Sequence, residues 1–268
     1  MLCPGRGKRT MTPIGAPNRK SRVRRESSLK GAIMRLRKSC AVVAFALLTA
    51  GGAPTADQFV HPDLKDGKVV VHAVLVLPPA AFVKKFGNVL GGEVMPNEGQ
   101  QLQASLRPTA GTVLVGKGCQ FLDDPYTKEA LDKDPAAKSA LDDVQTRYSS
   151  VEAQIWKKPK DVRQGRFTLG DGVSKLNPGH SIDAFVFIGA FGSLTTNGEK
   201  VRRMMAGPTY AARELVDIQV SVADASTGAV LYFGKKTTGG NFLTDPELVK
   251  HGLEAALEDF YCGPHPAH

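Results

Sequence analysis

Hydrophobic and polar positions alternate with two different periods along this chain. Residues 69–77, Val-Val-Val-His-Ala-Val-Leu-Val-Leu, are almost wholly apolar and rich in β-branched side chains. Such a run predicts a strand covered on both faces. Pro78-Pro79 removes two backbone donors and is expected to end it. Residues 78–97, with Gly91-Gly92 and Pro96, read as an irregular stretch.

From Glu98 the period lengthens. Leu102, Leu106, Ala110, Val113 and Leu114 share one helical face, and Gly116-Lys117-Gly118 supplies a glycine stop. Pro108 lies inside this helix and is expected to kink or split it. Residues 119–122 have the length of a short strand. Asp134-Pro135 is a cap followed by a first-turn proline. Ala137, Ala140, Leu141, Val144, Tyr148, Val151 and Ile155 then mark a long helix to about Trp156.

Residues 184–188 form a second continuous apolar strand. Val216, Ile218, Val220 and Val222 alternate with Asp217, Gln219 and Ser221, which gives a strand with one polar face. A turn at 224–228 returns the chain into 230–233 as a hairpin. Asp245-Pro246 opens a last helix with Val249, Leu253, Ala256, Leu257 and Phe260 on one face. The fold class is therefore α/β: a single mixed sheet with an antiparallel C-terminal part, packed by about three helices.

Charge changes this picture in one respect. The chain has 268 residues, with 35 Lys+Arg against 26 Asp+Glu. Residues 1–56 hold 12 of the bases and one acid, Glu26, which leaves 23 bases and 25 acids beyond them. The basicity belongs to the leader, so no nucleic-acid partner is implied. Arg35-Leu36-Arg37-Lys38, the apolar run 41–50 and the small residues after it have the layout of a secretory signal peptide. The run is shorter than the roughly 20 apolar residues of a membrane span. Met34 has the position of a start, with residues 1–33 an extension, and cleavage is expected after Ala50, Ala53 or Ala56. Cys40 precedes the apolar run, so no lipid-accepting cysteine is offered. Arg24-Arg25 is followed by Ser27 and Ser28 rather than by apolar residues, against a twin-arginine signal. The expected organisation is a basic extension and signal peptide at 1–56, then one α/β domain at 57–268 with a helical insertion near 125–175. The expected location is exported, periplasmic or extracellular, with no transmembrane span after cleavage.

Three segments resemble a known group. They are 74–79 (Val-Leu-Val-Leu-Pro-Pro), 183–189 (Asp-Ala-Phe-Val-Phe-Ile-Gly) and 220–231, with its D-x-x-T-G-x-x-L hairpin from Asp224 to Leu231. The pattern is similar to the periplasmic α/β domain of the curli-secretion lipoprotein CsgG, the penicillin-binding-protein activator LpoB and the N-terminal domain of TolB. The resemblance covers about half of residues 57–268 and implies a non-catalytic envelope adaptor or assembly protein binding a protein or glycan partner.

Candidate chemistry is sparse. Cys119 and Cys262 remain after the leader; one disulfide and two buried thiols are both open. Lys157, Lys158, Lys160, Arg163 and Arg166 make a basic connector that suits an anionic partner or is a solvated loop. Gly111–Gly118 nearly spells a phosphate loop, but Gly118 stands where the hydroxyl belongs, and a helix end with cap glycines fits better. His72 reads as a core residue, His61 as flexible, His180 as a loop residue and His251 as helical. The pairs Asp123-Asp124 and Asp142-Asp143 are the carboxylates an alternative periplasmic hydrolase would draw on. No cofactor and no metal is implied.

Overall fold

The computed structural model describes residues 57–87, 92–179, 181–196 and 214–263. The leader, His180 and the last five residues lie outside them. The centre is β6 (Ala184–Thr195), and the connection back from it is antiparallel: β7 (Leu215–Asp224) pairs with β6, and β8 (Val230–Gly239) with β7. On one side β1 (Asp57–Val60) closes the sheet against β8. On the other, β2 (Ala73–Val76) runs parallel to β6, with β5 (Gln120–Phe121) parallel beyond it. The order is β1-β8-β7-β6-β2-β5.

The stretch expected to be irregular carries two more strands. β3 (Ala80–Phe86) lies along the far half of β6, and β4 (Glu93–Val94) pairs with β3. Pro78-Pro79 interrupts the ladder rather than ending it. Val76 stands opposite Val186 and Ala80 opposite Gly189, so three residues face two. Two prolines cannot donate to a ladder, and the one extra residue is taken up as a bulge. A bulge of one residue inverts the alternation that follows it. Val74 and Val76 point to one side of the sheet and so does Val83, whereas Phe82 is turned to the opposite side, that of Leu75 and Leu77.

Helices cover both faces. α2 (Pro96–Gly116) and α5 (Pro246–Ala256) cover Val186, Ile188, Val216, Ile218, Val220 and Val222. α2 begins two residues before Glu98, and Pro108 does not split it. Thr109 and Thr112 donate their hydroxyls to the carbonyls of Ser105 and Pro108. The glycine-rich 111–118 is the end of α2, with Gly118 at φ 81° just past its cap, as the cap pattern suggested. Between 125 and 175 lie α3 (Lys128–Lys133), α4 (Pro135–Lys157) and two 3₁₀ turns, Pro159–Gln164 and Asp171–Leu176. Asp134 caps α4 by accepting from the amides of Ala136 and Ala137, both at 3.0 Å.

α4 packs through Tyr148. Its ring stacks on Phe187 with centroids 4.1 Å apart, and its hydroxyl meets that of Ser221 at 3.0 Å. Burial raises the phenol pKa. Nearby, Tyr126 donates to the Leu176 carbonyl at 2.6 Å and burial pushes it up to about 12.

The hairpin between β7 and β8 explains the D-x-x-T-G motif. Asp224 accepts from the amides and hydroxyls of both Ser226 and Thr227. Gly228 has φ 71°, and a Cβ there would run into the Gly170 backbone. Burial raises the Asp224 pKa, but the four hydrogen bonds outweigh it and the carboxyl ends below its ordinary value. A depressed folded pKa contributes stability above the unfolded value near 3.9. That contribution is lost as pH falls through the lower folded value. Asp224→Ala is therefore expected to lower the melting temperature at pH 7, with the gap to the parent narrowing on acidification towards about pH 3. A gap independent of pH contradicts this.

Cys119 and Cys262 are joined by a disulfide. It clips the C-terminal strap beside β5, where the Cys262 amide donates to the Lys117 carbonyl and the Gly263 amide to that of Val71. Among the described residues, no helix is long and apolar enough to cross a membrane.

Candidate functional site

α4 leaves part of the sheet open. Tyr148, Glu152 and Trp156 succeed one another at four-residue steps along it. Tyr148 lies on the sheet, whereas Glu152 and Trp156 stand over a cleft of about 380 Å³. Gly189, Phe191, Asp217 and Gln219 contribute to its lining from β6 and β7, Ala80 and Phe82 from β3, and Lys235 from β8.

The aromatic rings are the conspicuous feature. Trp156 is 48% exposed, Phe82 41% and Phe191 36%. Exposed large apolar groups gathered at a concavity mark binding surfaces more often than scattered ones do. Phe82 and Phe191 are register partners on parallel strands and stack at 5.9 Å between centroids. Their meeting depends on the Pro78-Pro79 bulge, which turns Phe82 to this face. The Lys235 ammonium lies 3.9 Å from the Trp156 ring centre, and Lys84 lies 5.5 Å from that of Phe82.

The polar groups are few. Asp217 accepts from the Thr237 hydroxyl. Burial raises the Glu152 pKa. Gln219 lies against Gly189, where a Cβ would meet its amide nitrogen at 2.7 Å, so the glycine makes the room. The side-chain carbonyl of Gln219 is buried and has no hydrogen-bond partner among the described residues. Leaving such a group unpaired costs about 1–3 kcal/mol.

The residues singled out from sequence lie elsewhere. The disulfide sits near the start of β6, away from the cleft. Lys157, Lys158, Lys160, Arg163 and Arg166 are all exposed. Arg163 donates to the Gln58 carbonyl and lies over Phe59, and Arg166 pairs with Asp161. Asp124 pairs with Arg107 and Asp143 with Arg147, so each acidic pair has a member tied in an ion pair. Two histidine expectations are corrected. His61 is buried, accepts from the Asp63 amide to cap α1 (Pro62–Lys65), and packs against Gly165, so it is not flexible. His72 is exposed, not in the core, because β2 begins only at Ala73; its amide and that of Ala73 donate to Asp183. Among the described residues no cluster of three or more His, Cys, Asp or Glu has the geometry of a metal site.

Neither a protein-family model nor a curated protein matches this chain. Some solved structures are similar to it. The PelC dodecamer from Paraburkholderia phytofirmans is 13% identical, with a TM-score of 0.33 over 76% of this chain and 94% of that one. Lipoprotein GNA1162 from Neisseria meningitidis is 16% identical, with a TM-score of 0.32 over 70% and 96%. The LpoB C-terminal domain from Salmonella enterica is 13% identical, with a TM-score of 0.26 over 65% and 87%. Likenesses this distant carry no argument about activity, and the functional case rests on the chain's own residues.

Proposed function

We propose that this chain is an exported, non-catalytic protein of the cell envelope that works by binding an envelope protein or glycan, and that the cleft is its binding surface. The observation that carries the proposal is the cluster of Phe82, Phe191 and Trp156, held partly exposed at the cleft. Two further features support it. The segment 34–56 has the layout of a signal peptide, and the Cys119–Cys262 disulfide suits an oxidising compartment. On this reading residues 57–268 are one α/β domain, with 125–175 an insertion that supplies α4 as the cleft wall. The basic connector has an accessory role, its three lysines drawing the domain towards anionic envelope material.

Phe191→Asp tests the proposal. Phe191 is partly exposed, so the variant is expected to melt close to the parent. The parent is expected to sediment with membrane and cell-wall material, and the variant to lose that sedimentation. Equal sedimentation of both proteins contradicts the cleft as the binding surface.

A further inference from the structure

We infer that the cleft takes a stretch of a neutral hexopyranose chain. This rests on the reading of the cleft as a binding surface and narrows the ligand class. Three features of the site converge on it.

Its polar lining mixes donors and acceptors. Glu152 and Asp217 bring carboxylates, Gln219 an amide, and Lys235 an ammonium held over Trp156. Two carboxylates against one lysine disfavour phosphate or uronate. Sugar hydroxyls both donate and accept, and they carry no charge.

The rings suit the other face of a sugar. A pyranose has C–H-rich faces that pack on aromatic rings, and Phe82, Phe191 and Trp156 offer exposed ring surface at the cleft. The register that pairs Phe82 with Phe191 fixes two of these rings on rigid strands.

Size argues against a protein occupant. At about 380 Å³ the cleft falls at the lower end of ligand sites, which span roughly 300–1,000 Å³. Twelve residues line it. A stable protein interface uses about 20–30 on each side.

The chain contains one tryptophan, so its fluorescence reports Trp156 alone. Cellohexaose, chitohexaose and maltohexaose are titrated into the disulfide-bonded protein while the emission is followed. The Gln219 side-chain amide resonance gives a second readout that does not depend on tryptophan. At least one sugar is expected to produce a saturable change in either signal. Phe191→Ala is expected to weaken its binding by about tenfold, and Gln219→Met to weaken it without lowering the melting temperature. No saturable change with any of the three in either readout overturns the inference, as does equal affinity in Phe191→Ala. If the sugars fail while Phe191→Asp still abolishes sedimentation, the ligand class is wrong and the cleft stands as a binding surface. If both fail, the binding reading falls with it.

Discussion

Replacing Cys119 with serine, or reducing the purified protein, is expected to remove about 3–5 kcal/mol of folding stability. The bond joins residues 143 positions apart. Closing so long a loop restricts the unfolded chain by about 5 kcal/mol on the chain-entropy account, less whatever structure the unfolded state retains. The loss has a folded-state component too. The strap that follows α5 holds Phe260 fully buried against Tyr232, with ring centroids 5.5 Å apart. Without the bond, the end of the strap keeps the hydrogen bonds from Cys262 and Gly263 to Lys117 and Val71 but loses its covalent tie to Cys119. Urea unfolding of the parent, the reduced parent, Cys119→Ser and the Cys119→Ser/Cys262→Ser double variant measures the effect. The midpoint is expected to fall by the same amount in all three altered forms, because each removes one and the same bond. Coincident curves for parent and reduced protein contradict the structural weight given to the disulfide.

Gly234→Ala is the second large expected effect. Gly234 lies in β8 directly beneath the end of α5. A Cβ there would run into the Ala256 carbonyl, which accepts the buried Tyr232 hydroxyl at 2.7 Å. A rotamer change gives no escape from a backbone atom, so α5 must lift from the sheet. Leu253, Ala256, Leu257 and Phe260, each fully buried, would lose packing together. Overpacking typically costs about 1–3 kcal/mol, and a contact that displaces a helix belongs at or above the top of that range. For a domain of this size, 3 kcal/mol corresponds to about 6–12 °C in melting temperature. Gly116→Ala is the control: nothing lies near its added Cβ, and the substitution is expected to be neutral or slightly stabilising. Equal melting temperatures for Gly234→Ala and Gly116→Ala contradict the close approach of α5 to β8.

The sheet was largely legible in the sequence, and its open end was not. The apolar run at 184–188 and the alternation at 216–222 each encode burial by their own period, and the strands formed there. The helices after Asp134 and Asp245 carry local caps, and both caps are made. β3 escaped notice because two prolines read locally as a terminator. Only pairing with β6, more than a hundred residues away, lets the strand resume beyond a bulge. The polar positions of β7 were visible as a polar face, but they have two different fates. Ser221 is buried beneath Tyr148, while Asp217 and Gln219 line the cleft. That division depends on where α4 crosses the sheet, which no local pattern states. Of the cleft aromatics, Trp156 alone had a signal, being one step of four beyond Glu152 on the Tyr148 row. The two histidine errors share this origin. His61 is buried against Gly165, 104 positions along the chain, and His72 lies just before β2, where the Asp183 carboxylate receives its backbone amide.

The central claim is that this chain is exported and works as a disulfide-closed binding domain. The most direct test is its intact mass in the envelope fraction of the cells that produce it, with thiol alkylation before and after reduction. The account predicts a chain that begins between residues 51 and 57, unlabelled until reduction and doubly labelled afterwards. A chain that keeps its leader, with Cys119 and Cys262 labelled without reduction, contradicts it.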